Sequence, residues 1–121
     1  MIVTGNLIAY AHFIKEDVRE IPSKEEYFSF ELIDNNYYII SVKEEYRDLL
    51  EGKITLPAQY NGKDIKTIGN FENCLKITHV YCQNNSSYTA VGNYAFTNCI
   101  NLKHIDLNDT IEIIGERAFS S

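Results

Sequence analysis

Three glycines set the frame of this chain. Gly69, Gly92 and Gly115 stand 23 residues apart, twice. Each follows an aliphatic residue, Ile68, Val91 or Ile114, and three positions further back lie Ile65, Tyr88 and Ile111. Ala95-Phe96 and Ala118-Phe119 come after the second and third glycines at one offset, and Asn73-Cys74 recurs as Asn98-Cys99. A period of about 20–50 residues is the mark of a solenoid, because one such unit is too thin to bury its own apolar face and must stack on its neighbours.

Stacking then fixes what faces where. Ile54, Val80 and Ile105 form one apolar stripe; Ile68, Val91 and Ile114 form a second; Phe71, Phe96 and Phe119 form a third. This requires short strands near 54–57, 79–82 and 104–107, paired in one parallel sheet. Successive side chains of a strand point to opposite faces. Lys53, Thr55, His79, Tyr81, Gln83, His104, Asp106 and Asn108 therefore face out and make up the candidate binding face. Equivalent residues of adjacent coils lie about 4.8 Å apart, which makes His79 and His104 neighbours. A histidine pair can bind a metal or sense pH, but no Cys, Asp or Glu completes a ligand set, and two exposed histidines on a repeat surface is the plainer reading. The glycines are expected to release the backbone where it turns between faces. Asn73 and Asn98 are expected to bond backbone groups at those turns.

Ahead of the repeats, residues 28–42 read as a β-hairpin. Phe28, Phe30 and Leu32 alternate with Ser29, Glu31 and Ile33, Asp34-Asn35-Asn36 tolerates positive φ, and Tyr37–Val42 returns. Lys43–Gly52 carries Tyr46, Leu49 and Leu50 at helical spacing, and a short helix ended by Gly52 is expected. Glu44, Glu45 and Glu51 read as a solvated face, since no second acidic cluster stands opposite them. Residues 1–27 carry two patterns. Leu7, Tyr10, Ala11, Ile14, Val18 and Ile21 have helical spacing, with Asn6 to cap and Pro22 to stop. Leu7, Ala9, Ala11 and Phe13 alternate as a strand would. The helix is favoured and the strand stays open. His12, in the same segment, has no acid or nucleophile near it in sequence.

The stretch Val91-Gly92-Asn93-Tyr94-Ala95-Phe96-Thr97-Asn98-Cys99-Ile100-Asn101-Leu102 resembles the BspA-like leucine-rich repeat throughout. The lead-in Ile54-Thr55-Leu56-Pro57, with Asn61-Gly62-Lys63 and Ile65–Gly69, resembles the same family, and the likeness covers residues 54–121. The resemblance implies an α/β-poor, mainly β solenoid: a right-handed leucine-rich-repeat coil of short parallel strands preceded by an N-terminal β-hairpin segment. It divides the chain into 1–53, which caps the solenoid, and 54–121, which holds about three repeats with the last incomplete. It implies a non-enzymatic protein-binding module of a bacterial surface or secreted protein, with no catalytic residues and no cofactor to carry over. The alternative is a structural or assembly protein, such as a phage virion or surface-layer component. Two departures stand out. The first repeat lacks the Tyr-Ala pair, since Gly69-Asn70-Phe71 runs straight on, and it recovers register within Gln83–Ser87. The last stops at Ser120-Ser121, which makes the chain either a fragment or one with a partner at that end.

Composition narrows the function classes further. A net charge of −6 disfavours nucleic acid, whose phosphates need clustered Lys and Arg, and an anionic membrane surface. No apolar run is long enough to span a membrane, and no signal peptide is visible at Met1–Gly5. There is no nucleophile elbow, phosphate loop or metal motif. Cys74, Cys82 and Cys99 lack metal spacing and read as buried free thiols, with no disulfide. The partner expected is therefore a protein of unspecified identity. Self-association through the C-terminal coil is expected too, because Ile111, Ile113, Ile114 and Phe119 have no following coil.

Overall fold

The structure is a computed structural model and describes residues 18–120. It is built from two parallel ladders with the core between them. One ladder joins β3 (Gly52–Leu56), β6 (Ile77–Cys82) and β8 (His104–Asp106). Its register pairs Lys53 with His79 and His79 with His104, Ile54 with Val80 and Val80 with Ile105, and Thr55 with Tyr81 and Tyr81 with Asp106. The three strands expected from the glycine period thus lie in one parallel sheet. The other ladder stacks β2 (Tyr37–Val42), β5 (Lys63–Ile68), β7 (Ala90–Val91) and β9 (Ile113–Ile114) in parallel, with β1 (Phe28–Ile33) antiparallel on the edge of β2. β4 (Gln59–Tyr60) turns back onto β5 through Asn61 and Gly62, both at positive φ.

The hairpin forms where the sequence places it. Asp34 and Asn35 sit at φ 50° and 59°, a left-handed pair that lets two right-twisted strands meet in a tight turn. Its return strand β2 is also the first rung of a ladder, since Ile40 pairs with Ile68. The hairpin thereby joins the repeats through main-chain bonds, and Phe28 packs on Phe71 at 6.0 Å between ring centres.

A third stack completes the core. The rings of Phe71 and Phe96 lie 5.4 Å apart, and those of Phe96 and Phe119 lie 5.5 Å apart. The amides of this turn column run from coil to coil: Phe71 N–H to Ala95 O, Phe96 N–H to Ala118 O, Asn73 N–H to Thr97 O and Asn98 N–H to Ser120 O. Ile54, Val80, Ile68, Val91, Phe71 and Phe96 are all buried. Ile105 is partly buried, whereas Ile113, Ile114 and Phe119 are exposed on the last coil. Tyr88 fills the space between the ladders, and its hydroxyl donates to Pro57 O at 2.6 Å.

The glycines do a different job from the one expected. None of the three has positive φ; that conformation falls instead on Asn73, Tyr94, Asn98 and Arg117. The glycines permit close approach. A Cβ on Gly69 would meet Ser41 Oγ at 2.5 Å, and one on Gly92 would meet Ile68 O at 3.1 Å. The asparagines also differ in detail. Asn98 Nδ2 donates to Asn73 Oδ1 at 3.1 Å, so the two side chains form a rung of their own rather than bonding backbone.

No α-helix forms in the described residues. Where a helix was expected over 43–52 there is a single 3-10 turn, Glu44–Tyr46, followed by further turns. Arg47 holds that turn against the first coil. Its guanidinium pairs with Glu44 at 3.0 Å and donates to Asn70 Oδ1 and Glu72 O. Leu50 inserts into the core, Tyr46 packs half-buried against it, and Leu49 stays exposed. The described end of the helix expected through Ile21, residues 18–21, forms turns and a bend instead. Residues 18–24 run past the edge of β3, where Ser23 N–H donates to Thr55 O and Ser23 Oγ accepts from Thr55 N–H, each at 2.9 Å. An edge strand has free main-chain groups to offer, and they outweigh the weak apolar pattern of this segment; Ile21 is exposed. His12 and the helix-or-strand alternative over 1–17 lie outside the described residues.

Candidate protein-binding face

The outward side of β3, β6 and β8 carries two cross-strand rows. The first is Lys53, His79 and His104; the second is Thr55, Tyr81 and Asp106. In the first row the His79 and His104 rings lie 5.8 Å apart. The Tyr81 ring lies 6.2 Å from His79 and 5.7 Å from His104, so the three rings form one aromatic triangle. The Thr78 hydroxyl contacts His79 Nδ1 at 2.8 Å and leaves Nε2 for solvent or a ligand. Desolvation, helped by the charges of Lys53, His104 and Lys103, lowers the pKa of His79 below its ordinary value.

The second row is partly covered, which corrects the expectation for Thr55. That residue is buried, because residues 18–23 cross over it and its hydroxyl donates to Val18 O at 2.8 Å. Arg19 continues the crossing. Its Nε donates to Cys82 O at 2.6 Å, and its guanidinium reaches Asp106 at 3.8 Å. Gln83 and Asn108 hold the scaffold: Gln83 accepts from Ala58 N–H and donates to Glu20 O, and Asn108 donates to Ser86 O. Lys53, His79, Tyr81, His104 and Asp106 remain as the accessible part. Arg19, Thr78 and Lys103 join them here without having been singled out in the sequence. Lys103 adjoins His104, and its amide donates to Thr78 O, so the repeat alignment carried a signal for it. Arg19 had none.

Among the described residues no group of three His, Cys, Asp or Glu side chains converges as a metal site would. The three thiols are buried and free. Cys74 shares the spacing of the Phe71–Phe96 and Asn73–Asn98 rungs with Cys99. Its hydrogen bond to Cys99, together with burial, pushes its pKa up, and burial raises Cys82 to about 11. Alkylation of the unfolded, unreduced protein is expected to label all three cysteines. One label, as from a disulfide, would contradict this.

A family model described as "BspA type Leucine rich repeat region (6 copies)" matches residues 53–121, more than half of the chain. The chain belongs to that leucine-rich-repeat family. Its fold is similar to the crystal structure of a T. pallidum leucine-rich-repeat protein, with a TM-score of 0.71 at 24% identity over 83% of this chain. The match spans 45% of that protein. No curated protein matches the chain. Repeats of this family typically form non-enzymatic surfaces that bind other proteins.

Proposed function

We propose that this chain is a non-enzymatic protein-binding module that engages its partner with the outward rows of β3, β6 and β8. It would serve in a bacterial surface or secreted protein, as the family resemblance implies. The observation that carries the reading is the triangle of His79, Tyr81 and His104, an aromatic patch held on a rigid ladder and partly free of the N-terminal segment. Aromatic side chains on a fixed frame give large contact area at small entropic cost. Residues 1–53 act as the cap of the first coil and 54–121 as the repeat unit, in keeping with the pairing of β2 to β5. Peptides selected from a random library against the folded chain should lose about tenfold or more in affinity on Tyr81→Ala, the scale of a hot-spot aromatic. They should be indifferent to Ser29→Ala on the exposed face of β1. Binders that ignore Tyr81 would overturn the reading.

An assembly role is the second reading, and the exposed Ile113, Ile114 and Phe119 favour it. Apolar patches of this kind mark interfaces. Head-to-head pairing of two C-terminal coils closes such a contact, whereas head-to-tail stacking propagates it. Sedimentation at micromolar concentration should show a dimer that Phe119→Asp converts to monomer. A monomer at every concentration would contradict it.

A further inference from the structure

We propose that the His79–His104 row is a receptor for an acidic segment of a partner protein. Resting on the binding-face reading, it adds the charge class of what binds there and a dependence on pH.

The row collects cationic groups on an acidic protein. Lys53 projects from β3, His79 from β6 and His104 from β8, in one cross-strand line. Lys103 stands beside His104 and is exposed. The chain as a whole carries −6, so a cluster of two lysines and two histidines stands against the average. The neighbouring row carries the carboxylate of Asp106, and Arg19 engages it at 3.8 Å. The other groups facing the pair are Tyr81 on β6 and Thr78 just before His79, and neither is acidic. Among the described residues the charges acting on His79 are thus those of Lys53, His104 and Lys103, all of one sign. Desolvation is the main cause of the lowered pKa of His79, and the neighbouring Lys53, His104 and Lys103 add to it.

A carboxylate placed over the row relieves the repulsion. It accepts from Nε2 of His79, which has no partner among the described residues, and sits between the lysines at either end. The Tyr81 ring offers apolar contact to the ligand's methylene groups. A segment with two or more carboxylates can engage His79 and His104 together, whose rings lie 5.8 Å apart, which a monovalent anion cannot. Nucleic acid fits less well, since the cationic line is short and the rest of the surface repels phosphate.

The sign of the pH effect follows from linkage. A bound carboxylate raises the histidine pKa above its free value, so binding takes up protons. Affinity is then full below the free-state pKa and declines as pH rises through the bound-state pKa. Glutamate side chains stay largely ionised at pH 5.5, so with the peptide's termini blocked the change between pH 5.5 and 7.5 reports imidazole protonation at the row.

The test is a titration of the intact chain with a terminally blocked hexaglutamate peptide, followed by amide and imidazole NMR shifts at low salt. Hexalysine and a neutral Tyr-Ser hexapeptide are run in parallel. Hexaglutamate is expected to move His79, Tyr81 and His104, and to bind about fivefold tighter at pH 5.5 than at 7.5. The double variant H79Q/H104Q, at exposed and half-exposed positions, should keep the fold and lose the pH dependence. K53Q/K103Q should weaken binding at both pH values. If hexaglutamate binds elsewhere, leaves the row unmoved, or binds independently of pH, the proposal is wrong. If the neutral peptide or hexalysine moves the same residues while hexaglutamate does not, the binding face stands and its charge class is refuted. A short oligonucleotide that outcompetes hexaglutamate at the row would replace the protein partner with nucleic acid.

Discussion

Phe96→Ala is expected to cost about 3–5 kcal/mol of stability, the range of large deletions in a close-packed core. Phe96 is buried between two rings, with Phe71 at 5.4 Å and Phe119 at 5.5 Å. Removing it leaves a hole in the turn column, and the neighbours cannot close over it. Their positions are fixed from coil to coil by the amides of Phe71, Phe96 and Asn98. Phe119→Ala serves as the internal comparison. It has a ring on one side only and is exposed, so its cost should be less than half as large. Chemical denaturation of the two variants checks both numbers. A loss under about 1 kcal/mol for Phe96→Ala is what a surface residue gives and would place that side chain outside the core.

Gly69→Ala should destabilise the fold by about 1–3 kcal/mol, as overpacking does. The sign is informative, because a glycine replaced by alanine where the backbone permits it usually gains stability. Gly69 has no positive φ, so its conformation alone would allow alanine. The obstacle is the neighbouring coil. The new Cβ would meet Ser41 Oγ at 2.5 Å, Ile39 Cγ2 at 2.9 Å and Ile40 O at 3.1 Å. The Ser41 hydroxyl cannot swing away freely, since it accepts from Asn70 N–H at 3.0 Å. The double variant with Ser41→Ala should recover part of the loss. A stabilised Gly69→Ala protein would mean that the hairpin and the first coil do not approach as closely as the structure shows.

These two sites show how far the sequence could be read. The phenylalanine column was legible because repeat spacing alone aligns Phe71, Phe96 and Phe119. The same spacing put Lys53, His79 and His104 in one row. The glycines were legible as landmarks but not in their role: close approach belongs to the neighbouring coil, whose distance no local pattern reports. The hairpin announced itself through Asp34 and Asn35, the residue types that accept positive φ. The segment 18–24 did not. Its conformation is set by bonds to Thr55 and, 63 residues away, to Cys82, and no periodicity within the segment records them. Thr55 was misjudged for that reason, being outward on its strand yet covered. The turn at 44–46 was hidden likewise, because Arg47 reaches partners about one repeat further on.

The arrangement of the coils decides everything said of the face, and NOE contacts in solution measure it directly. The account predicts parallel cross-strand contacts from Ile54 to Val80 and from Val80 to Ile105, together with contacts linking the rings of Phe71, Phe96 and Phe119. Val80 and Ile105 without a contact, or an antiparallel pattern between β6 and β8, would contradict it, and the row of Lys53, His79 and His104 would then not exist.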